Sequence, residues 1–473
     1  MLTFLTIVYV ICALLLTFYA IGITVLLIGY WLHRHENTPT PKISHWPIVA
    51  IQLPIYNERH VVERLLDAVA ALDYPPDKLT VQVLDDSTDD TSSMIADRAA
   101  LLRAKGLNIQ HVQRDNRQGF KAGALAHGLT LLAESNPASE FVGVFDSDFV
   151  PPPDFLRKTI PYLVSDPTIG MVQTRWGHIN PSDNALTFGQ TMALDGHFVV
   201  EQTARCRSGL LMSFSGSGGV WRTQCITEAG GWSDLTLTED LDLSYRAQLA
   251  GWHFLYLPDV VVPAELPPQI TAYKQQQARW AKGNTQVLTF MLGPLWRAEL
   301  PLRQRIMATL HLCQYLPQPL MMLMLLLTPP LMAAHALDSL PLGPLAIASL
   351  GQVLIVVVSQ STLYPNWGRR LLAFPVLLAL GTGVAWNNTR AVLGALMGEG
   401  GEFRRTPKFA QTGRSNTYAL HGDRATWMEL LWAAYALAGA VVALNTYPSL
   451  APYLLIYGAA FAIVALWSLR ERW

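Results

Sequence analysis

Cysteine is scarce. Cys12, Cys206, Cys225 and Cys313 are the whole complement, and no C-x-x-C spacing occurs among them. That argues against a cysteine zinc site and against a disulfide framework, so reduced thiols are expected. Charge is also sparse, at 15% of 473 residues with a net charge of −1. Without a basic excess, nucleic acid is not an expected partner. The G-x-x-x-x-G-K-[ST] pattern of P-loop enzymes is missing. There is no internal repeat and no low-complexity segment.

What the chain does have is apolar length. Hydrophobic residues make up 51% of it, and mean hydropathy is +0.24. That is too apolar for an ordinary soluble protein, yet the middle of the chain is too charged for a pure membrane bundle. Leu2 to Leu32 is almost uninterrupted apolar sequence, enough to span ~30 Å of hydrocarbon. A signal peptide is the competing reading, but the run is too long, no basic stretch precedes it and no small-residue cleavage site follows. His33-Arg34-His35 behind it place that end in the cytoplasm by the positive-inside rule.

Apolar runs return after Leu300, at Arg305 to Ala334, Leu342 to Tyr364, Leu371 to Trp386, Trp427 to Leu444 and Leu450 to Leu466. Glu399 to Arg424 is polar and basic, with Arg404, Arg405, Lys408, Arg414 and Arg424. The same rule puts this loop and the tail Arg470-Glu471-Arg472 in the cytoplasm. Three full crossings before the loop would leave it outside. One run is therefore expected to be interfacial or re-entrant, and Leu371 to Met397 is the choice because Trp386-Asn387-Asn388-Thr389-Arg390 continues it as a polar-studded helix. Gln314, Tyr315, Gln352, Gln360, Trp386, Asn387 and Asn388 would either face a water-filled cavity or bond helix to helix.

Between the apolar regions the pattern is α/β. Strands are expected at WPIVAIQLPIYNE, Leu79 to Leu84, Leu107 to Gln113 and Phe141 to Phe145, with helices at His60 to Leu72, Thr91 to Lys105 and Gly119 to Leu132. The alternation implies a mostly parallel, Rossmann-like sheet covered on both faces. Polar clusters fall at strand ends, where such sheets bind ligands: Tyr56-Asn57-Glu58, Asp85-Asp86-Ser87 and Asp146-Ser147-Asp148. Asp146 and Asp148, two positions apart, share a strand face. Their hard oxygens suit Mg²⁺ or Mn²⁺; a solvated turn is the plainer reading. Asp85 and Asp86 either bond a base or ribose beside Tyr56 and Glu58, or form an Asx turn.

RDNRQGFKAGAL, Arg114 to Leu125, offers Lys121 to a diphosphate, or is simply a basic turn before a helix. In Thr238-Glu239-Asp240, Asp240 either caps the next helix or takes an acceptor proton. Phe214 to Gly219 is a glycine-rich loop able to approach a sugar. Gln276, Arg279 and Trp280 share one helix face. They offer a phosphate fork and a flat platform, or mark an interfacial helix.

Asp86, Asp146-x-Asp148, Thr238-Glu239-Asp240 and Gln276-x-x-Arg279-Trp280, in this order beside a membrane, resemble the D, D, D, Q-x-x-R-W signature of processive family 2 glycosyltransferases. Cellulose, hyaluronan and chitin synthases share it. LPIYNE, VQVLDDSTDDT, FDSDF, VQTRW, EAGGW and QQQARW look closest to plant cellulose-synthase-like mannan and glucomannan synthases, and the likeness covers roughly Gln52 to Trp280. RTPKF, Arg405 to Phe409, is loosely similar to a cytoplasmic gating loop.

The resemblance implies a GT-A fold, a nucleotide-sugar donor (UDP-glucose or GDP-mannose first), a divalent metal and inversion at the anomeric carbon. Tyr56, Glu58, Asp85 and Asp86 would meet the nucleoside; Lys121, Asp146, Gln276 and Arg279 the diphosphate side of the donor; Asp146 and Asp148 the metal. Asp240, with Glu239, would be catalytic, and Trp280 would hold the acceptor. The expected organisation is a transmembrane helix at 1–33, a cytoplasmic GT-A domain at 34–285, an interfacial region at 286–304, membrane or interfacial helices at 305–398, a basic loop at 399–424 and terminal membrane helices at 425–473. The expected function is β-linked polysaccharide synthesis at the inner (plasma) membrane by a multi-pass enzyme. One rival is a glycosyltransferase adding a single sugar to a lipid acceptor, as ceramide glucosyltransferases do. The other is a transporter with a nucleotide-binding domain, which gives no reason for the three carboxylate motifs.

Overall fold

Seven strands form one sheet in the order β3-β2-β1-β4-β6-β5-β7. They are β1 (Val49–Ile55), β2 (Leu79–Asp85), β3 (Ile109–Gln113), β4 (Phe141–Val144), β5 (Ile169–His178), β6 (Gly219–Arg222) and β7 (His253–Ala264). This computed structural model describes residues 1–36, 38–135, 138–338, 340, 350–399 and 425–471. β6 runs antiparallel to both its neighbours, and the other pairings are parallel. The mostly parallel sheet is the one expected from the sequence.

The central strands are buried on both faces, as parallel strands covered by helices must be. Val62–Ala70, Thr91–Ala104 and Phe155–Ser165 pack on one face. Phe120–Ala133, Thr223–Glu228 and Glu239–Leu249 cover the other. Within this apolar sandwich Gln52 donates to Gln82 at 3.1 Å and Gln82 to Gln110 at 3.4 Å, residues in register across β1, β2 and β3. A slip of register would leave buried amides without partners, so the ladder pins the strands.

Among the described residues, four helical stretches are long and apolar enough to cross a membrane: Leu2–His33, Trp367–Leu396, Ala425–Thr446 and Pro448–Arg470. The run expected from Arg305 to Ala334 is not one straight span, because Leu302–Leu312 and Pro317–Ala333 meet at 65°. Leu302–Leu312 instead lies on the α/β domain: Tyr245 Oη is 2.9 Å from His311 Nδ1, and Met307 lends its carbonyl to Arg205. This bend lies well before Leu371 to Met397, where a re-entrant segment is expected. Leu350–Leu363 is a shorter apolar helix. The basic stretch 400–424, with the segment Arg405 to Phe409, lies outside the described residues, as do 341–349.

One helix joins the two parts. Ile270–Arg297 runs through the boundary expected at 285 and 286. Its first turn is capped from the last apolar helix, where Glu471 accepts from the amides of Ile270 and Thr271. A carboxylate there satisfies orphan donors and complements the helix dipole. Four residues on, Lys274 pairs with Glu429 at 2.5 Å, with side chains 6% and 0% exposed. Removing one member of a buried pair strands the other charge, at about 3–5 kcal/mol. Glu429→Ala is therefore expected to lower the melting temperature in detergent sharply, and Lys274→Met with Glu429→Leu to regain most of the loss. A single variant that melts like the parent would show that the pair does not hold the helix.

Candidate active site

The chain order reverses about β1, with β2 and β3 on one side and β4 on the other. Ligands in open α/β sheets bind outside strand carboxyl ends at such a switch point. There lies a cavity of about 580 Å³. Its wall takes in Tyr56 and Asp86 at the strand ends, Asp146 and Asp240 further in, and Tyr19, Tyr315 and Gln352 from the apolar part.

Every expected site residue lines this cavity except Asp85. Asp85 is the last residue of β2 and turns inward: its Oδ2 is 2.8 Å from His111 Nε2 and its Oδ1 accepts from the Ser87 amide at 2.9 Å. Its oxygens are taken up by His111 and the Ser87 amide, so it stands apart from the cavity wall where the other expected donor residues lie. Asp86, its neighbour, faces the cavity and is held by Arg114 through both carboxylate oxygens. Arg114 also donates to the carbonyls of Gln118 and Phe120, so one guanidinium joins Asp86 to the turn that presents Lys121.

Lys121 sits among carboxylates. Its Nζ is 2.6 Å from Asp146 Oδ1, 3.4 Å from Glu239 Oε1 and 2.9 Å from the Gly216 carbonyl. Burial pulls its proton affinity down, but Asp146, Glu239 and Asp240 outweigh burial and hold the ammonium above its ordinary range. Asp146 is 34% exposed, onto the cavity. Burial and the nearby Asp148 push its carboxyl up against the pull of Lys121.

Asp240 does not cap its helix. Thr238 occupies that position, and Asp240 lies in the first turn of Glu239–Leu249 with Oδ1 accepting from the Leu241 amide at 2.9 Å. Burial, then the charge of Glu239, raise its carboxyl to about 7, with Lys121 opposing. Gly216, in the glycine-rich loop, has φ of +83°, and a Cβ there would lie 2.9 Å from Asp240 Oδ2. A side chain would be strained and would crowd the carboxylate.

The helix that carries Gln276, Arg279 and Trp280 is seated on the Thr238-Glu239-Asp240 segment. Gln286 accepts from the Leu237 amide at 3.0 Å. At Gly283 a Cβ would come within 2.6 Å of Thr238 Cγ2 and 2.9 Å of its backbone nitrogen. All three side chains of the motif then reach the cavity wall.

Sequence reasoning missed several wall residues. Arg117 stacks on Tyr56 with its guanidinium carbon 3.4 Å from the ring centroid. Tyr19, His178, His197 and Glu201 also line the wall. Arg117 lay inside a stretch already singled out, and its spacing before Lys121 was the available signal. The others depend on tertiary packing with no local pattern.

The model of the family described as glycosyltransferase like family 2 matches residues 47–283, half of the chain, and the chain belongs to that family. Glucomannan 4-beta-mannosyltransferase 2 of Arabidopsis thaliana is 44% identical over 255 residues, 54% of this chain and 47% of that one. Glucomannan 4-beta-mannosyltransferase 1 of Oryza sativa subsp. japonica is 44% identical over 265 residues, 55% of this chain and 50% of its own length. The chain thus spans about half the length of these relatives. A mannosyltransferase from Pyrobaculum calidifontis, solved in complex with GDP-Man and Mn2+, is similar with a TM-score of 0.50 at 23% identity, over 79% of this chain and 99% of that one. That likeness is one of fold, and the α/β domain has the GT-A fold expected from its motifs.

Gly283→Ala forces the motif helix off Thr238. A displacement near 1 Å at a site costs about 10²-fold in rate, so kcat is expected to fall by about that factor. A variant with parental kcat would show that this close approach does not set the catalytic geometry.

Proposed function

We propose that this protein is an inverting, membrane-integrated glycosyltransferase that moves a hexose from a nucleotide sugar onto a growing β-linked polysaccharide of the mannan or glucan kind. The observation that carries the proposal is one cavity whose wall holds both the Lys121–Asp146–Glu239–Asp240 cluster and side chains of the apolar helices. GDP-mannose and UDP-glucose are the donors of choice. The names of the relatives and the GDP-Man in the similar structure favour GDP-mannose.

The strand-end residues suit the donor. The Arg117–Tyr56 stack and Asp86 fit a nucleoside, and Arg279 and Lys121 fit the diphosphate. Asp146 and Asp148 fit a divalent cation: both are in the wall, and they repel one another. No group of three His, Cys, Asp or Glu gathers as a closed site among the described residues. An open pair completed by substrate phosphates is how Mg²⁺ or Mn²⁺ is usually held. Such an ion would neutralise the leaving diphosphate.

Asp240 is the base. It accepts the proton of the acceptor hydroxyl as that oxygen bonds to the anomeric carbon. The bond from that carbon to the diphosphate breaks on the opposite side, which turns an α-linked donor into a β-linked product. Trp280 offers the acceptor an apolar face.

The polar residues of the apolar segments divide between the two expected roles. Gln314, Tyr315 and Gln352 are in the cavity wall. Gln360 is packing glue, donating to Asp195 at 2.9 Å, and Asn387 donates to the Lys274 carbonyl at 2.9 Å. Trp386 packs against Trp432 with ring planes tilted by 50°, and Asn388 is fully buried. A polar wall suits a glycan passing between helices. His33-Arg34-His35, at the end of the first helix beside the α/β domain, support a cytoplasmic catalytic domain in an inner (plasma) membrane.

The first test is nucleoside diphosphate release from a panel of nucleotide sugars. Release from at least one, dependent on Mg²⁺ or Mn²⁺ and stopped by EDTA, is expected; none from any donor would end the proposal. A second test concerns Asp240, which must be ionised to accept a proton. Because its carboxyl titrates at about 7, kcat/KM should climb about tenfold per pH unit below that value and level off above it. Asp240→Asn should lose about 10²–10⁴-fold with donor binding retained. A variant within a few-fold of the parent would remove Asp240 from the role.

A further inference from the structure

The reaction as derived leaves several polar side chains of the cavity wall unused, and two of them sit together on one turn. Residues Gly196–Gln202 wind as a π-helix between the α-helices Ala185–Asp195 and Thr203–Arg207. Such turns insert an extra residue, re-aim side chains and recur at functional sites. Val199 and Val200 of this turn pack with Ile23, Leu26 and Leu27 of the first apolar helix. His197 and Glu201 lie instead in the cavity wall, with side chains 27% and 20% exposed.

His197 Nδ1 is 3.0 Å from Glu201 Oε2. Burial opposes ionisation of Glu201, but His197 and Arg205 hold its carboxyl below the ordinary range, so it is a carboxylate at neutral pH. Phe198 lies beside Trp176, with ring centroids 5.2 Å apart, planes tilted by 33° and Trp176 itself in the wall. A flat ring for the apolar face of a sugar, in the same cavity wall as a carboxylate and an imidazole for its hydroxyls, is the chemistry of carbohydrate binding. The turn also reaches the catalytic loop. Gln202 Nε2 donates to the Ser213 carbonyl at 3.0 Å, and Gly216, three residues on, abuts Asp240.

We infer that His197 and Glu201, with Trp176, form a subsite that grips the terminal sugars of the acceptor glycan where the catalytic domain meets the first apolar helix. The inference rests on the polysaccharide reading and deepens it. A chain held there stays in line with Asp240 between additions, and water is kept from the donor.

The test uses the purified full chain with whichever of GDP-mannose and UDP-glucose the parent turns over. Polymer-bound sugar, free sugar released to water, chain length and donor KM are measured for the parent, Glu201→Gln and His197→Gln. One lost charge-assisted hydrogen bond is worth about tenfold. The share of sugar lost to water should therefore rise by about that factor and chains should shorten, with donor KM unchanged. Parental partition and chain length in both variants overturn the inference. Lower total turnover at an unchanged partition overturns it too, since that is the mark of a purely structural role. A parent that releases no nucleoside diphosphate from any nucleotide sugar overturns the polysaccharide reading and this subsite with it.

Discussion

Four of the carboxylates lining one cavity repel one another, and the arrangement of the α/β domain depends on how they are kept there. Asp146 and Asp148 follow β4, whereas Glu239 and Asp240 open the helix Glu239–Leu249, far along the chain. Taking a carboxylate out of water costs several kcal/mol unless a partner compensates. Lys121 is the partner at the centre, touching Asp146, Glu239 and the Gly216 carbonyl at once. Its position is set by the turn that Arg114 braces against Asp86, so the end of the site at Asp86 and the end at Asp240 share one scaffold. The positive end of the helix Glu239–Leu249 adds further compensation for its own first-turn acids.

The second constraint is mechanical. Ile270–Arg297 is capped by Glu471, paired to Glu429 and seated on Thr238 at Gly283. A single helix thus relates Glu239 and Asp240 to the last two apolar helices. The same cavity wall borrows Tyr19 from the first apolar helix and Gln352 from Leu350–Leu363. On the proposed function, a product leaving the site would need no moving intermediary to reach the apolar part, because the two regions share this wall.

Much of this was legible in the sequence. Strand ends carry the polar clusters because parallel strands deliver their carboxyl ends to one side, so Tyr56, Asp86 and Asp146 had to converge. Asp85 and Asp86 were indistinguishable as letters. Only the register of β2, which puts Asp85 beside Gln113 and its side chain on His111, separates the structural acid from the one facing the cavity. His197 and Glu201 could not be found, since a π-turn has no sequence signature and their neighbours come from elements far along the chain. The bend between Leu302–Leu312 and Pro317–Ala333 was hidden by uniform apolarity, and only contacts to Arg205 and Tyr245 reveal that the first of these helices belongs to the catalytic domain.

The central claim is that one chain both builds a β-linked polymer and receives it among its apolar helices. The most direct measurement places the purified protein in liposomes, catalytic face outward, with radiolabelled donor supplied outside. The account predicts high-molecular-weight product that linkage-specific endoglycosidases digest only after the vesicles are opened. A single labelled sugar on an extractable lipid, or polymer wholly digestible from outside, would contradict it.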